Sequence, residues 1–88
     1  MLINRAAGFN HYTDANSLVV FNPATRLYYY LDEIAAFVWG LMRKPMTIGE
    51  ICAAVQSTFD VESEACQRDV AALLEELEHI GLIETAAE

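Results

Sequence analysis

Arg-Leu-Tyr-Tyr-Tyr-Leu at Arg26–Leu31 runs directly into the helix-like segment Asp32–Met42. This junction of a predicted strand with a predicted helix is the main signal for the fold. Six residues rich in aromatic and β-favouring side chains predict a strand. A strand at the edge of a small sheet exposes unpaired N–H and C=O groups, which are a template for pairing with another chain. The sequence contains no recognisable set of catalytic residues, so this strand edge is the main candidate for a functional site.

Two shorter segments predict that the strand closes a three-stranded antiparallel meander. Phe9–Thr13 alternates apolar and polar side chains, and Leu18–Phe21 is a β-branched and aromatic run. Turn residues at Asp14–Ser17 and at Asn22–Thr25 separate the three strands. The first eight residues, Met1–Gly8, show no clear period and are expected to fray.

After the strand the hydrophobic period changes from about 2 to about 3.6 residues, which predicts helices. Asp32 has the carboxylate of an N-cap, and the first helix is expected to end before Pro45. Thr47-Ile48-Gly49-Glu50 matches a capping box that starts the second helix. The third is predicted over Ser63–Ile80, with Gly81 as its C-cap and a short extended tail that returns to the core.

Each helix carries an apolar stripe that is expected to face the core. In the first helix the stripe is Ile34, Phe37, Val38, Leu41 and Met42, widened by Trp39. In the second it is Ile48, Ile51, Cys52, Val55 and Phe59. In the third it is Cys66, Val70, Leu73, Leu74, Leu77 and Ile80. The element order predicts an α+β fold, winged helix-turn-helix-like, with a three-stranded antiparallel sheet followed by three helices. A length of 88 residues and an apolar content of 55% suit one domain over residues 1–88, with its core at about 9–84.

The charge and the cysteines exclude several classes of function. Residues 1–59 hold four acids and four bases, whereas residues 60–88 hold nine acids and one base, so the net charge of −8 lies in the last third. Such a surface disfavours nucleic acid and anionic membrane. Cys52 and Cys66 are predicted to be buried free thiols, with a disulfide as the alternative. Free thiols and the lack of a signal peptide or membrane-spanning run indicate a cytoplasmic protein. No metal or cofactor site is predicted, and neither His11 nor His79 is expected to be catalytic.

Several segments, in this order and at these spacings, resemble the PqqD-like family, whose members are known as RiPP recognition elements. They are Leu18–Thr25, Tyr28–Glu33, Phe37–Trp39, Met46–Ile51, Asp69–Val70, Leu73–Leu77 and Ile80–Glu84. The resemblance covers about residues 17–84. One departure is Arg26, where many relatives have glycine after the turn.

The resemblance implies a non-enzymatic protein that binds the leader segment of a ribosomally made precursor peptide. The leader would add as an extra strand, and the core segment would be presented to a maturation enzyme such as a radical SAM enzyme, a cyclase or a leader peptidase. In such β-augmentation main-chain hydrogen bonds give affinity and side-chain pockets give selectivity. The same open edge also allows a homodimer.

The predicted peptide-binding residues come from the third strand and the third helix. Because neighbours on a strand alternate sides, Leu27, Tyr29 and Leu31 are expected to face the helices, with Tyr28 and Tyr30 on the other face. The predicted set is Leu27, Tyr28, Tyr29, Tyr30, Leu31, Asp69, Ala72, Leu73 and Glu76. If the helix contributes, a basic residue in the leader should meet its acids. The alternative for the helix is an ordinary solvated face.

Two other functions fit the element order. A winged-helix DNA-binding regulator has the same order of helices, but its recognition helix needs Lys, Arg, Asn or Gln facing the groove, and the candidate helix here carries mostly acids. A subunit that only supports an enzyme complex is the third interpretation.

Overall fold

The computed structural model describes residues 2–14 and 17–86. The elements run β1 (Leu2–Arg5), β2 (Asn10–Asp14), β3 (Ser17–Asn22), β4 (Leu27–Leu31), α1 (Glu33–Leu41), α2 (Ile48–Thr58), α3 (Ser63–His79) and β5 (Ile83–Ala86). The α+β fold, with an antiparallel sheet of β2, β3 and β4 followed by three helices, is confirmed. The middle of the predicted turn at Asp14–Ser17 lies outside the described residues.

The three-stranded sheet has one face against the helices and one face turned away from them. Val20, which is buried, pairs with His11 on β2 and with Tyr29 on β4, so these side chains share the inner face. Val19 pairs with Tyr12 and Tyr30, so these three share the outer face. Strand β3 is therefore central, and β2 and β4 are the two edges of this sheet.

Residues 2–5 do not fray but form a strand, so the expectation of a frayed N-terminal segment is wrong for them. Strand β1 pairs with β5 in a second, two-stranded antiparallel sheet. The backbone of Ile3 also exchanges hydrogen bonds of 2.7 and 2.9 Å with that of Met46, just before α2. The Ile3 side chain is buried in the main core. A four-residue strand whose partners lie more than 40 residues away leaves no periodic signal in its own sequence.

The predicted helix starts are confirmed, and α3 ends at His79 with Ile80 as its C-cap, one residue earlier than predicted. Asp32 accepts a hydrogen bond of 2.8 Å from the N–H of Ala35 and caps α1. Thr47 and Glu50 form both bonds of the capping box, at 3.2 and 2.9 Å. The hydrogen bond from the Thr47 backbone lowers the pKa of Glu50, since it favours the carboxylate. Gly81 follows α3 with a φ of +83°, which glycine adopts without a Cβ clash.

The apolar stripe of α1 is centred one residue further along than predicted. Val38, Trp39 and Met42 are buried as predicted, and Phe37 and Leu41 are half-buried against the core, but Ala35 is buried in place of Ile34. The residues that are buried are Ala35, Val38, Trp39 and Met42, at spacings i, i+3, i+4 and i+7. Ile34 is exposed instead, and so is Ile48 at the start of α2. The small Ala35 lets α1 approach the sheet closely, and an alanine adds little weight to an apolar pattern in the sequence. The stripes of α2 and α3 bury Ile51, Cys52 and Val55 and then Cys66, Val70, Leu74 and Leu77 as predicted.

Cys52 and Cys66 are buried free thiols at the contact between α2 and α3. The Cys66 thiol donates a hydrogen bond of 3.7 Å to the carbonyl oxygen of Cys52. Burial raises the pKa of the Cys52 thiol, and the neighbouring Cys66 raises it further. Both effects reduce the thiolate fraction and hence the reactivity of Cys52.

We therefore expect the native protein to react with the thiol reagent DTNB at least about 100-fold more slowly than the protein unfolded in guanidinium, because reaction requires opening of the core. Absorbance of the released thiolate gives both rates and the number of thiols. Equal rates in the two states would contradict burial. Absence of titratable thiols after unfolding without reductant would show a disulfide.

The turn between β3 and β4 holds Arg26 in a conformation that favours glycine. Its φ is +61°, and its N–H donates a bond of 2.7 Å to the carbonyl of Asn22. The Asn22 side chain accepts a second bond, of 3.0 Å, from the N–H of Ala24. The departure at Arg26 thus falls at a left-handed residue, where a side chain costs energy.

Arg26→Gly should raise the free energy of unfolding by up to about 1 kcal/mol, since strain relief exceeds the added chain entropy. Arg26→Val should lower it by about 1 kcal/mol or more, because a β-branched residue tolerates positive φ poorly. Urea unfolding measures both. Ala24→Gly is the matched control, since it adds chain entropy in the same turn without relieving a positive φ, and should be neutral or destabilising. A stabilisation by Ala24→Gly equal to that by Arg26→Gly would contradict the explanation.

Candidate functional site

Strand β4 has an open hydrogen-bonding edge. Among the strands built from residues 2–14 and 17–86, β4 pairs with β3 only. Its five residues, Leu27–Leu31, offer an edge about 17 Å long, since an antiparallel strand rises about 3.4 Å per residue. Backbone groups on alternate residues of this edge point away from β3 and can pair with another extended chain.

A groove runs beside this edge, between β4 and α3, and we call it the β4–α3 groove. Its volume is about 330 Å³, and it is lined by Tyr28, Tyr29, Tyr30, Leu31, Asp32, Ala35, Leu73, Glu76, Leu77 and Ile80. The α3 residues follow one another at spacings i, i+3, i+4 and i+7, so they form a single stripe of the helix. The helix wall of the groove is apolar at Leu73, Leu77 and Ile80, and the exposed Glu76 lies beside them.

A second cavity continues the groove toward the N-terminal halves of α1 and α3. It measures about 240 Å³, and its apolar lining includes Ile34, Val55, Val61 and Val70. Asp32, Ala35 and Leu73 line both cavities, so the two are contiguous. Asp69 also lines this second cavity. An apolar side chain therefore fits inside it with a carboxylate close by.

The structure brings most of the predicted peptide-binding residues together. Tyr28, Tyr29, Tyr30, Leu31, Leu73 and Glu76 all line the β4–α3 groove. Asp69 lines the adjoining cavity instead. Leu27 and Ala72 are exposed and line neither cavity. Leu27 was expected to face the helices, but the helices do not cover it. Leu27 lies at the turn end of β4, whereas residues of α1 and α3 line the groove with the residues that follow it on the strand.

Four residues of the groove were not among the predicted site residues. Leu77 and Ile80 were assigned to the core stripe of α3, and Ile80 is in fact half-buried at the groove. Asp32 was predicted only as a cap, and Ala35 was not predicted at all. The i, i+3, i+4, i+7 spacing from Leu73 to Ile80 was the signal that could have identified this wall of the groove.

A larger cavity, of about 690 Å³, lies on the side of α1 away from the β4–α3 groove. Ala36 lines this cavity, whereas Ala35 lines the groove. Arg5 closes the C-terminal end of α1 there, donating bonds of 2.8 and 3.0 Å to the carbonyls of Trp39 and Gly40. Its guanidinium lies 4.3 Å from the centre of the Trp39 ring. Burial lowers the pKa of Arg5. These contacts give Arg5 a structural role at this cavity.

The part of the chain that the structure describes contains no group of His, Cys, Asp and Glu that could hold a metal ion. It also contains no helix long and apolar enough to cross a bilayer. The features that stand out are an open strand edge and a helix-lined groove beside it. They define a small α+β domain with an unpaired sheet edge beside a helix.

Comparison with known proteins agrees with this architecture. The family model described as Coenzyme PQQ synthesis protein D (PqqD) matches residues 17–83, and the chain belongs to this family. No curated protein sequence matches the chain.

Two solved structures share the fold. "TbiB1 in Complex with the TbiA(beta) Leader Peptide" is 21% identical, with a TM-score of 0.83 over 97% of this chain and 99% of that one. "Lasso peptide synthetase B1 complexed with the leader peptide" is 18% identical, with a TM-score of 0.81 over 94% of this chain and 98% of that one. Because these matches span nearly the whole chain, the fold includes β1 and β5 as well as the segment that the family model covers.

Proposed function

We propose that this protein is a RiPP recognition element that binds the leader segment of a ribosomally synthesised precursor peptide by β-strand addition. The open edge of β4 beside the β4–α3 groove is the observation that carries the proposal. Both structural neighbours are described as complexes with a leader peptide, which supports the same kind of ligand here.

The groove explains how a leader would be held. Its backbone would pair with the outward N–H and C=O groups of β4, and this pairing is independent of the leader's sequence. Its inward side chains would meet Leu73 and Ile80 on α3 and Tyr29 on β4. Selectivity would come from these apolar contacts and from the carboxylates of Glu76 and Asp69 near them.

The protein would act as an adaptor and not as an enzyme. Holding the leader raises the effective concentration of the core peptide at a maturation enzyme, such as a radical SAM enzyme, a cyclase or a leader peptidase. The DNA-binding alternative has no support. Helix α3 carries five acids and one arginine, a charge that repels phosphate.

Fluorescence polarisation with a labelled leader from the precursor encoded beside the gene tests the proposal. We expect saturable binding of the leader and none of the core peptide alone. A gel-shift assay on DNA from the same locus should show no complex at the same protein concentrations. DNA binding without leader binding would contradict the proposal.

Glu76 should make leader binding dependent on salt. If the leader places a Lys or Arg beside its apolar anchors, Glu76→Gln should weaken binding about two- to fivefold at low salt. The difference from wild type should shrink when salt is raised, because screening weakens exposed charge pairs. Titrations at about 0.05 and about 0.5 M NaCl measure both effects.

Glu75→Gln is the matched control for Glu76→Gln. Glu75 is the neighbouring residue on α3, and it lines a cavity with Ile3 and Ile83, away from the groove. This variant removes the same charge from the helix but should leave the affinity nearly unchanged. Equal effects of the two variants would show that only the overall charge matters.

A further inference from the structure

The outer face of the three-stranded sheet carries an aromatic surface that the helices do not cover. Tyr12, Tyr28 and Tyr30 keep 51%, 55% and 70% of their surface exposed, whereas Val19 beside them is fully buried. Val19 lies in register between Tyr12 and Tyr30, and it is not part of the main core cluster. The tyrosines therefore cover Val19 on a face that the main core does not reach.

Two of the rings on this face, those of Phe21 and Tyr28, contact each other. Phe21 pairs with Tyr28 across β3 and β4, and their ring centres are 4.5 Å apart. The described side chains of this face are Asn10, Tyr12, Ser17, Val19, Phe21, Tyr28 and Tyr30, and none of them carries a formal charge. This neutral aromatic surface contrasts with the acidic last third of the chain.

Strand geometry connects this surface to the edge of β4. A guest strand on that edge would direct every second side chain into the β4–α3 groove and the others onto the outer face. Those outward side chains would stand about 5 Å from Tyr28 and Tyr30, the usual distance of a cross-strand pair. Tyr12, two strands further from the guest, would be about 14 Å away.

We infer that Tyr28 and Tyr30 select the outward-facing residues of the leader, and that these are aromatic or β-branched. This inference rests on the proposed function and extends it to the second face of the guest strand. Aromatic–aromatic and aromatic–β-branched pairs are the favourable cross-strand neighbours of tyrosine, and the uncharged surface gives an acidic side chain no partner. The leader would therefore carry aromatic or β-branched residues at positions i and i+2. The residue between them, at i+1, would be apolar and would enter the groove.

This signature differs from that of an ordinary edge strand. A strand with one solvated face shows alternating apolar and polar residues, whereas a guest held on both faces is apolar at consecutive positions. The recognised segment would therefore read as at least three consecutive apolar residues within a precursor leader, at least two of them aromatic or β-branched.

Selection from a display library of random dodecapeptides tests the inference without knowledge of the natural leader. Wild-type protein should enrich peptides with aromatic or β-branched residues at positions i and i+2 around an apolar residue. Tyr28→Thr/Tyr30→Thr should lose this preference and bind the selected peptides about tenfold more weakly, because two cross-strand pairs are lost. Threonine keeps a high β-propensity, so β4 should persist.

Tyr12→Thr is the matched control, since it removes a tyrosine of similar exposure from the same face at a strand distant from the guest. It should retain both the preference and the affinity. Enrichment of apolar residues at every second position only, with any residue between them, would overturn the inference and leave the proposed function intact. Enrichment of Arg or Lys at the outward positions would also overturn it, in favour of cation–π contacts. Failure to enrich any extended peptide would overturn both.

Discussion

A proline in β4, at a residue whose N–H points away from β3, is expected to abolish leader binding while the domain stays folded. Proline has no N–H to donate, and its ring also blocks the close approach of a guest strand. One guest carbonyl then loses its partner at the edge, which should reduce affinity by at least about tenfold. Fluorescence polarisation measures the affinity, and circular dichroism and urea unfolding report the fold.

The backbone N–H groups along an antiparallel strand alternate in direction, so two neighbouring proline variants of β4 serve as controls for each other. Outward N–H groups belong either to Tyr29 or to both Tyr28 and Tyr30, since neighbouring residues point in opposite directions. One of Tyr29→Pro and Tyr30→Pro should therefore be folded and unable to bind. The other should lose a hydrogen bond to β3 and be clearly less stable. This pattern would also establish which residues of β4 pair with the guest.

The corresponding threonine variants separate the backbone from the side chain. Tyr29→Thr and Tyr30→Thr remove the same rings but keep the N–H group, so neither should reproduce the loss caused by the folded proline variant. Proline at Tyr12 on β2, the other edge of the sheet, distinguishes the two edges. If Tyr12→Pro abolished binding and the β4 prolines did not, the guest would pair with β2.

Local signals explain why the centre of this fold could be predicted from sequence. The β4–α1 junction combines a change of period with a capping aspartate at position 32, and both features lie within a few residues of the boundary they mark. The capping box at Thr47–Glu50 and the glycine at position 81 are equally local. These boundaries could be predicted because the interaction that forms each of them connects residues close in sequence.

The shift of the α1 stripe could not be predicted, since it depends on how closely two elements approach. Ala35 is buried because the helix packs tightly on the sheet. The small alanine side chain allows this close packing but adds little to the hydrophobic pattern of the sequence. The wall of the groove on α3 was misjudged for a related reason. Leu77 and Ile80 belong to the same apolar stripe, and only the position of β4 determines that Ile80 lies at the groove and not inside the core.

Ile3→Ala is expected to lower the free energy of unfolding by about 2–4 kcal/mol, a large part of the stability of a small domain. Ile3 is buried in the main core, with only 2% of its surface exposed. The substitution leaves its backbone bonds to Met46 in place, so the loss reports the side chain alone. Urea unfolding followed by tryptophan fluorescence measures the change, since Trp39 belongs to the same cluster.

Asn4→Ala is the control on the same strand, at a half-buried position whose side chain points to the opposite side of β1. It should change the free energy of unfolding by no more than about 0.5 kcal/mol. A similarly small effect of Ile3→Ala would mean that the N-terminal residues contribute nothing to the core, as their lack of a period suggests. Leader affinity should be unchanged in both folded variants, because β1 does not line the β4–α3 groove. Such a separation of stability from binding would show that one sheet completes the core and that the edge of the other binds the leader.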